Sequence, residues 1–257
     1  MRLAVISDTH GNATAFEAVI KDLTLQGPDA VVFLGDVGMR GPEPQACIDL
    51  LKALEPLTVL RGNHDNKYTR FPQPGWQPNT YKKELLLRSF EYDCENINHA
   101  DQLWLANLPK QFLCEFEGVA TEMYHATPTS LIDIVYPWAT AEELEKLYQH
   151  EQTQLVLYGH SHHACVRTGK GKLIVNSGSI GLPFDGDNRA SYALVDFDRQ
   201  DIAVQLRRVT YDIEKAIGIA RERSMPDLGS FEYALRFAKY PYNAAVGLST
   251  GANSDMA

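Results

Sequence analysis

Leu60-Arg61-Gly62-Asn63-His64-Asp65 ends an apolar run and turns directly into polar chemistry. Leu57–Leu60 has the length and character of a buried strand, and Gly62 marks the turn that follows it. In that turn Asn63, an amide oxygen able to ligate a hard cation, precedes His64, an imidazole able to donate a proton. Gly-Asn and His-Asp pairs are also common in plain polar turns, so the stretch takes its meaning from its company. Upstream, the apolar residues 2–6 run into Asp8-Thr9-His10, and Ala30–Leu34 runs into Gly35-Asp36. Downstream, Val119–Tyr124 leads to His125, and Leu155–Tyr158 leads to Gly159-His160-Ser161-His162.

Between the first three strands the apolar period changes to that of helices. Phe16, Val19, Ile20 and Leu23 fall at i, i+3, i+4 and i+7, with Asn12 or Thr14 as the cap and Gly27-Pro28 as the stop. Gly41-Pro42-Glu43-Pro44 opens a second helix carrying Ile48, Leu51 and Leu54, and Pro56 ends it. Strand, helix, strand, helix, strand predicts an α/β protein with a largely parallel sheet. Ligands gather beyond the carboxyl ends of such strands, where Asp8, His10, Asp36, Asn63 and His64 all stand.

Residues 66–81, with Pro72, Pro74, Pro78 and the exposed-looking Phe71 and Trp76, read as an irregular excursion over the site, with an ordinary surface loop as the alternative. Two helical pieces are expected over 82–107, then a hairpin of Phe112–Phe116 and Val119–Tyr124 about Glu117-Gly118. A helix is predicted near 140–151. Beyond it, Ala164–Arg167, the turn Thr168–Gly171, Lys172–Val175, Ser191–Phe197 and Ile202–Val209 read as antiparallel strands. Helices near 211–223 and 228–239 precede a frayed tail, Gly247–Ala257.

The 257 residues are 44% hydrophobic and 22% charged, an ordinary globular mix, and carry a net charge of -9. That field disfavours generic nucleic-acid coating, and phosphate chemistry would need bound cations or placed arginines to invert the local sign. Cys47, Cys94, Cys114 and Cys165 lack CxxC spacing, which argues against a zinc ribbon or disulfide framework and fits a reducing compartment. Leu3-Ala4-Val5-Ile6 is too short for a signal sequence or membrane span. The expectation is a cytoplasmic protein without a membrane partner.

An isolated histidine is usually structural, but His10, His64, His125, His160 and His162 all follow predicted strands. With Asp8, Asp36 and Asn63, the ligand candidates are Asp8, His10, Asp36, Asn63, His125, His160 and His162. These mixed oxygen and nitrogen donors, with no cysteine, are too many for one tetrahedral zinc and suit two first-row divalent cations sharing a carboxylate.

The order Asp-x-His, Gly-Asp, Gly-Asn-His-Asp, His and Gly-His-x-His over residues 8–162 resembles the signature of the calcineurin-like metallophosphoesterase superfamily. Leu34-Gly35-Asp36-Val37-Gly38 before Gly41-Pro42-Glu43-Pro44 is similar to its small prokaryotic phosphodiesterase-like branch. So is Asn176-Ser177-Gly178-Ser179-Ile180-Gly181, followed by Asp185-Gly186-Asp187 and Ala190-Ser191-Tyr192. The resemblance implies a four-layered α/β/β/α sandwich of two mixed sheets flanked by helices. The domain is expected at 1–240, with 66–110 as an irregular, helical excursion near the site and 211–257 as C-terminal helices and tail, although the proline-rich stretch and the last forty residues are not explained by the resemblance. It also implies one cation on Asp8, His10, Asp36 and His162, and a second on Asp36, Asn63, His125 and His160. Mn²⁺ is the first choice, with iron, zinc, nickel or cobalt as alternatives.

The implied reaction is hydrolysis of a small phosphoester, foremost a phosphodiester and with nucleotides among the candidates. A hydroxide bridging the cations attacks in line, Asn63 and Arg40 hold phosphate oxygens, and His64 is the general acid. There are departures. Ala126 follows His125 where glycine is frequent. Beside the Ser/Thr protein phosphatases, Met39 stands where a second aspartate would orient His64, while Arg40 is kept. A phosphomonoesterase or protein phosphatase is the rival activity, and a scaffold without catalysis is the rival from another class. Gly169-Lys170-Gly171-Lys172 is read as a hairpin turn, and Gly178–Gly181 as a tight loop near the metals.

Overall fold

The computed structural model describes residues 1–199 and 201–242, so the tail Gly247–Ala257 lies outside the described residues. β1 (Arg2–Ile6), β2 (Ala30–Phe33) and β3 (Thr58–Val59) run parallel. β9 (Ala190–Asp198) and β10 (Asp201–Val209) add antiparallel on the other side of β1, giving the order β10-β9-β1-β2-β3. The second sheet has the order β4-β5-β6-β8-β7. It comprises β4 (Gln111–Phe116), β5 (Val119–Tyr124), β6 (Leu155–Tyr158), β7 (Cys165–Gly169) and β8 (Lys172–Asn176). There β5, β6 and β8 are parallel, and the outer pairs are antiparallel.

Both sheets are therefore mixed, and the last two strands belong to the first sheet, not to the antiparallel set that local pattern suggested. Burial gives the reason. Most of β9 is buried on both faces, as a central strand must be, whereas β10 alternates with an exposed face, as an edge strand does.

Strand alternation sorts the side chains into layers. Leu3, Val5, Val32 and Leu34 face Met123, Leu155, Leu157 and Val175 across the inter-sheet core. Ala4, Ile6 and Phe33 face outward onto α1 (Ala13–Gln26) and α2 (Pro44–Ala53) through Phe16, Val19, Ile48 and Leu51. On the far side, Tyr124, Val156, Tyr158 and Ile174 are covered by Val135, Leu144 and Leu147. The result is two mixed sheets flanked by helices. Asn12, rather than Thr14, caps α1, accepting from Ala15 N at 3.1 Å, and Gly27 ends it in the left-handed region.

The helix expected at 140–151 is shorter. α5 (Ala141–Leu144) begins with a Thr140–Glu143 capping box and passes into a 3-10 turn ending at Leu147. The amides of Gln149 and His150 instead donate to the buried Glu122 carboxylate, at 2.9 and 3.0 Å, which takes them out of the helical ladder.

The excursion begins with a 3-10 helix over Asp65–Thr69, followed by α3 (Tyr81–Asn96) and α4 (His99–Ala106). Phe71 and Trp76 are half-buried, not exposed: Phe71 packs edge-on against Trp76 at 4.8 Å and against Phe90 of α3 at 5.0 Å. The C-terminal α6 (Ile213–Glu222) and α7 (Leu228–Phe237) form a small core of their own with Leu182.

Phe16 is fully buried between β1 and α2. Phe16→Ala should lower unfolding stability by about 3–5 kcal/mol through lost transfer and a residual cavity, read from denaturant titration. A loss below about 1 kcal/mol would mean that this layer is not the packed core described.

Candidate metal centre

Each candidate ligand sits just past the carboxyl end of a strand, and the two sheets aim these ends at one place. Loop backbones interlock there: Asp8 N donates to Gly35 O at 3.0 Å, Gly159 N to His125 O at 2.9 Å, and Ile180 N to Ser7 O at 3.1 Å. The Gly178–Gly181 loop packs against Asp8, whose carbonyl accepts from Ser179 Oγ at 2.8 Å and Gly181 N at 2.9 Å. A Cβ on Gly181 would lie 1.9 Å from Thr9 O, so no other residue fits. Asp8, His10, Asp36, His160 and His162 all hold positive φ between 46° and 62°, a strained conformation for residues with side chains.

The side chains converge as the chain order implied. Asp8, His10 and His162 bring ligand atoms within 4.8 Å of one another, and so do Asp36, His125 and His160. Asp36 links the two sets. Its Oδ1 accepts from His64 N at 2.8 Å, while Oδ2 lies 3.7 Å from His10 Nε2 and 3.5 Å from His125 Nε2. Asn63 Oδ1 is 3.0 Å from His125 Nε2. On Asp8, Oδ2 accepts from Ser7 Oγ at 2.6 Å, but the buried Oδ1 has no hydrogen-bond partner.

Tautomers decide what this cluster can hold. His10 Nδ1 lies 3.1 Å from Met39 O, His125 Nδ1 lies 2.9 Å from Leu34 O, and His162 Nδ1 meets Leu182 O. A carbonyl only accepts, so in the neutral rings each Nδ1 carries the proton and each Nε2 presents a lone pair. His10 Nε2 and His162 Nε2 nevertheless face each other at 3.1 Å, beside the unpartnered Asp8 Oδ1, and the buried His160 Nε2 is likewise unpartnered. Lone pairs directed at one another across a buried cluster repel, and cations between them remove the repulsion. The donor set thus fits two metal ions.

Electrostatics point the same way. Burial and the neighbouring His125 lower His160 to about 3, and burial also lowers His125, so both rings stay neutral and free to ligate. Burial raises Asp36 to about 6 against the pull of the His10 ring. Asp8 is fully buried, yet the His162 and His10 rings, in their protonated forms, hold it well below the ordinary carboxylate range.

His64 has partners that the sequence did not reveal. Arg40 Nε donates to its Nε2 at 3.2 Å, and Met39 Sδ stands 3.4 Å from its Nδ1, where the phosphatase pattern has an aspartate. Burial, then the Arg40 charge, pushes His64 well below its ordinary value. The neighbouring Asp65 turns away from the imidazole. Its carboxylate accepts from the amides of Asp36 at 2.7 Å, Gly62 at 2.8 Å and Val37 at 3.1 Å.

Asp93 of α3 was missed altogether. Fully buried, it accepts from Met39 N at 2.6 Å and Tyr68 OH at 2.9 Å, while Ser89, one turn earlier, accepts from Arg40 N at 2.8 Å. No local motif marks these residues, because Met39 and Arg40 lie 54 and 49 positions away and Tyr68 lies 25 away.

A model of the calcineurin-like phosphoesterase superfamily domain matches residues 1–200. The chain belongs to this superfamily. An uncharacterized protein of Methanocaldococcus jannaschii is 28% identical over 240 residues, covering 88% of this chain and 94% of the relative. A metallophosphoesterase from Sphaerobacter thermophilus is 26% identical with a TM-score of 0.72, over 93% of this chain and 99% of that one. A hypothetical protein from Pyrococcus horikoshii has the same fold, with a TM-score of 0.77 at 20% identity over 92% of this chain and 98% of that one. In this superfamily member no helix among the described residues is long and apolar enough to cross a membrane.

Burial raises Asp93 from 3.8 to about 7. The folded state then holds the extra proton, so the group's contribution to stability is intact below the ordinary carboxylate range and lost as pH rises to about 7. Asp93→Asn keeps an oxygen for Met39 N and Tyr68 OH but cannot ionise. The Tm of this variant should therefore gain on wild type between pH 4 and pH 8, by a few degrees at the upper end. A constant Tm difference across that range would show that Asp93 does not titrate as described.

Proposed function

We propose that the protein is a dinuclear metal-dependent phosphoesterase acting on a small phosphodiester, in the manner of the phosphodiesterase-like branch of its superfamily. The observation that carries the reading is the set of Nε2 lone pairs and carboxylate oxygens meeting without a donor between them. Asp8, His10, Asp36 and His162 would hold one cation, and Asp36, Asn63, His125 and His160 the other. Two divalent ions there supply Lewis-acid charge and activate a water for attack on phosphorus. Mixed oxygen and nitrogen donors suit first-row metals, so Mn²⁺ is the ion to load first.

Around such a pair the chain's own groups divide the work. Asn63 and Arg40 bind the non-bridging oxygens, the planar guanidinium matching them in its own plane. The negative charge of a bound phosphoester favours a proton on His64, taken up from solvent, and the imidazolium would pass that proton to the leaving oxygen. Free cysteines, at Cys47, Cys94, Cys114 and Cys165, accord with work in a reducing cytoplasm.

The direct test is a panel of mono- and diester substrates, cyclic nucleotides and dinucleotides included, presented to Mn²⁺-loaded protein. Asp36→Asn should lose metal from both positions and nearly all turnover. Two full equivalents of metal with normal activity in this variant would remove the dinuclear reading, and preference for monoesters would replace the diester assignment.

The general acid is tested separately. His64→Ala should retain both metals and lose about 10²–10⁴-fold on alkyl or nucleoside esters, whose alkoxide departs poorly unprotonated. On nitrophenyl esters, whose leaving group needs no proton, the loss should be much smaller. Equal losses in kcat/KM across leaving groups of graded pKa, at full metal content, would assign His64 to positioning instead.

A further inference from the structure

The superfamily match ends at residue 200, yet the chain comes back to the site after it. α7 ends at Ala238, which turns through a left-handed φ of 47° and is tied down where Gly186 N donates to its carbonyl at 3.1 Å. The chain then lays Tyr240-Pro241-Tyr242 along the rim of the metal cluster. Phe184 stacks on the His162 ring, with centroids 4.4 Å apart and planes 11° from parallel. Tyr240 meets Phe184 edge-on at 5.4 Å, and Tyr242 meets Tyr240 at 5.2 Å. The series ends with the Arg40 guanidinium lying over the Tyr242 ring, 4.1 Å from its centroid.

Resting on the reading of Arg40 as a phosphate-binding group, we propose that Tyr242 is the positioning residue that orients the Arg40 guanidinium for a phosphoryl oxyanion. Arginine has a long stem and considerable rotamer freedom, which a binding site must remove before its planar fork is useful. Two contacts remove it here: His64 Nε2 accepts from Nε, and the Tyr242 ring covers one guanidinium face, while Ser89 Oγ fixes the backbone by accepting from the Arg40 amide. Stacking uses the face, whereas phosphate oxygens are bound at the edge, through N–H bonds in the guanidinium plane. The two contacts are therefore compatible, and the ring also keeps water from that face, strengthening the ionic interaction at the edge. Arg40 itself comes from the loop after β2, so the C-terminal segment acts on the site through it.

The test uses full-length, Mn²⁺-loaded protein with inorganic phosphate as the probe, binding being measured by calorimetry and metal content and Tm in parallel. Tyr242→Ala should weaken phosphate by about 3- to 30-fold, the span of a cation–π contact from exposed to desolvated, with both metals retained. Tyr242→Phe keeps the ring face and should stay within about twofold of wild type. In an Arg40→Ala background, Tyr242→Ala should add nothing further, since the ring then has no guanidinium to orient. Unchanged or tighter phosphate binding in Tyr242→Ala would make the ring a bystander or a blocker. Weakening that persists undiminished without Arg40 would make it a general structural strap. Either result overturns the assignment. If Arg40→Ala alone leaves phosphate affinity unaltered, the reading of Arg40 falls and this one falls with it. If Arg40→Ala weakens phosphate and Tyr242→Ala does not, only the role of Tyr242 is lost.

Discussion

The site depends first on the carboxylate of Asp65, which takes three backbone amides at once, those of Asp36, Val37 and Gly62. The turns after β2 and β3 are otherwise separate loops, and a shift of one against the other would pull Asp36 away from Asn63 and His64. The clip also sets how near they come. A Cβ at Gly62 would stand 1.9 Å from Asp36 Oδ1, so the approach is possible only for glycine. Burial and the Asp36 charge raise Asp65 to about 7, opposing the three amide donors. Its ionisation and that of Asp36 are thus linked through a shared environment, and added positive charge in the cluster would relieve both.

The left-handed backbone at Asp8, His10, Asp36, His160 and His162 follows from the same demand. Each such residue costs on the order of 1–3 kcal/mol, and it persists because surrounding contacts over-determine it. Here the contacts are the interlocked carbonyls and amides of the strand-end loops, and the inter-sheet core that holds those ends in register. Packing energy in the sandwich is converted into fixed directions for the imidazoles.

Much of this was legible in the chain because the deciding signals are local. An apolar run ending at Asp8, Asp36, Asn63, His125 or His160 states both the strand and the group it delivers. Lys170 and Gly171, at φ 49° and 76°, make the β7–β8 turn that the Gly-Lys-Gly-Lys stretch suggested. What escaped reading was non-local. β9 and β10 cross to the first sheet because a doubly buried strand needs neighbours on both sides, and its partner β1 lies nearly two hundred residues earlier. The helix at 140 stops early because Glu122 captures the amides that would extend it. Asp93 looks like one more polar residue of an amphipathic helix until Met39 and Tyr68 are brought to it. Met39 was read correctly as an absence of aspartate, but the sulfur standing in its place needed coordinates.

The pairing of β1 between β2 and β9 has a consequence for biosynthesis. β1 emerges from the ribosome before β9 and finds β2 within about thirty residues, but its other edge stays open until β9 has been made. The ligand set is split along the chain in the same way, Asp8 near the start and His162 far along it, with the carbonyl that fixes the His162 tautomer, at Leu182, later still. A nascent chain therefore exposes an apolar strand edge and a partial set of metal donors until β9 and Leu182 have been made. Capture of stray metal or strand-edge pairing between polysomal neighbours is the hazard this topology carries.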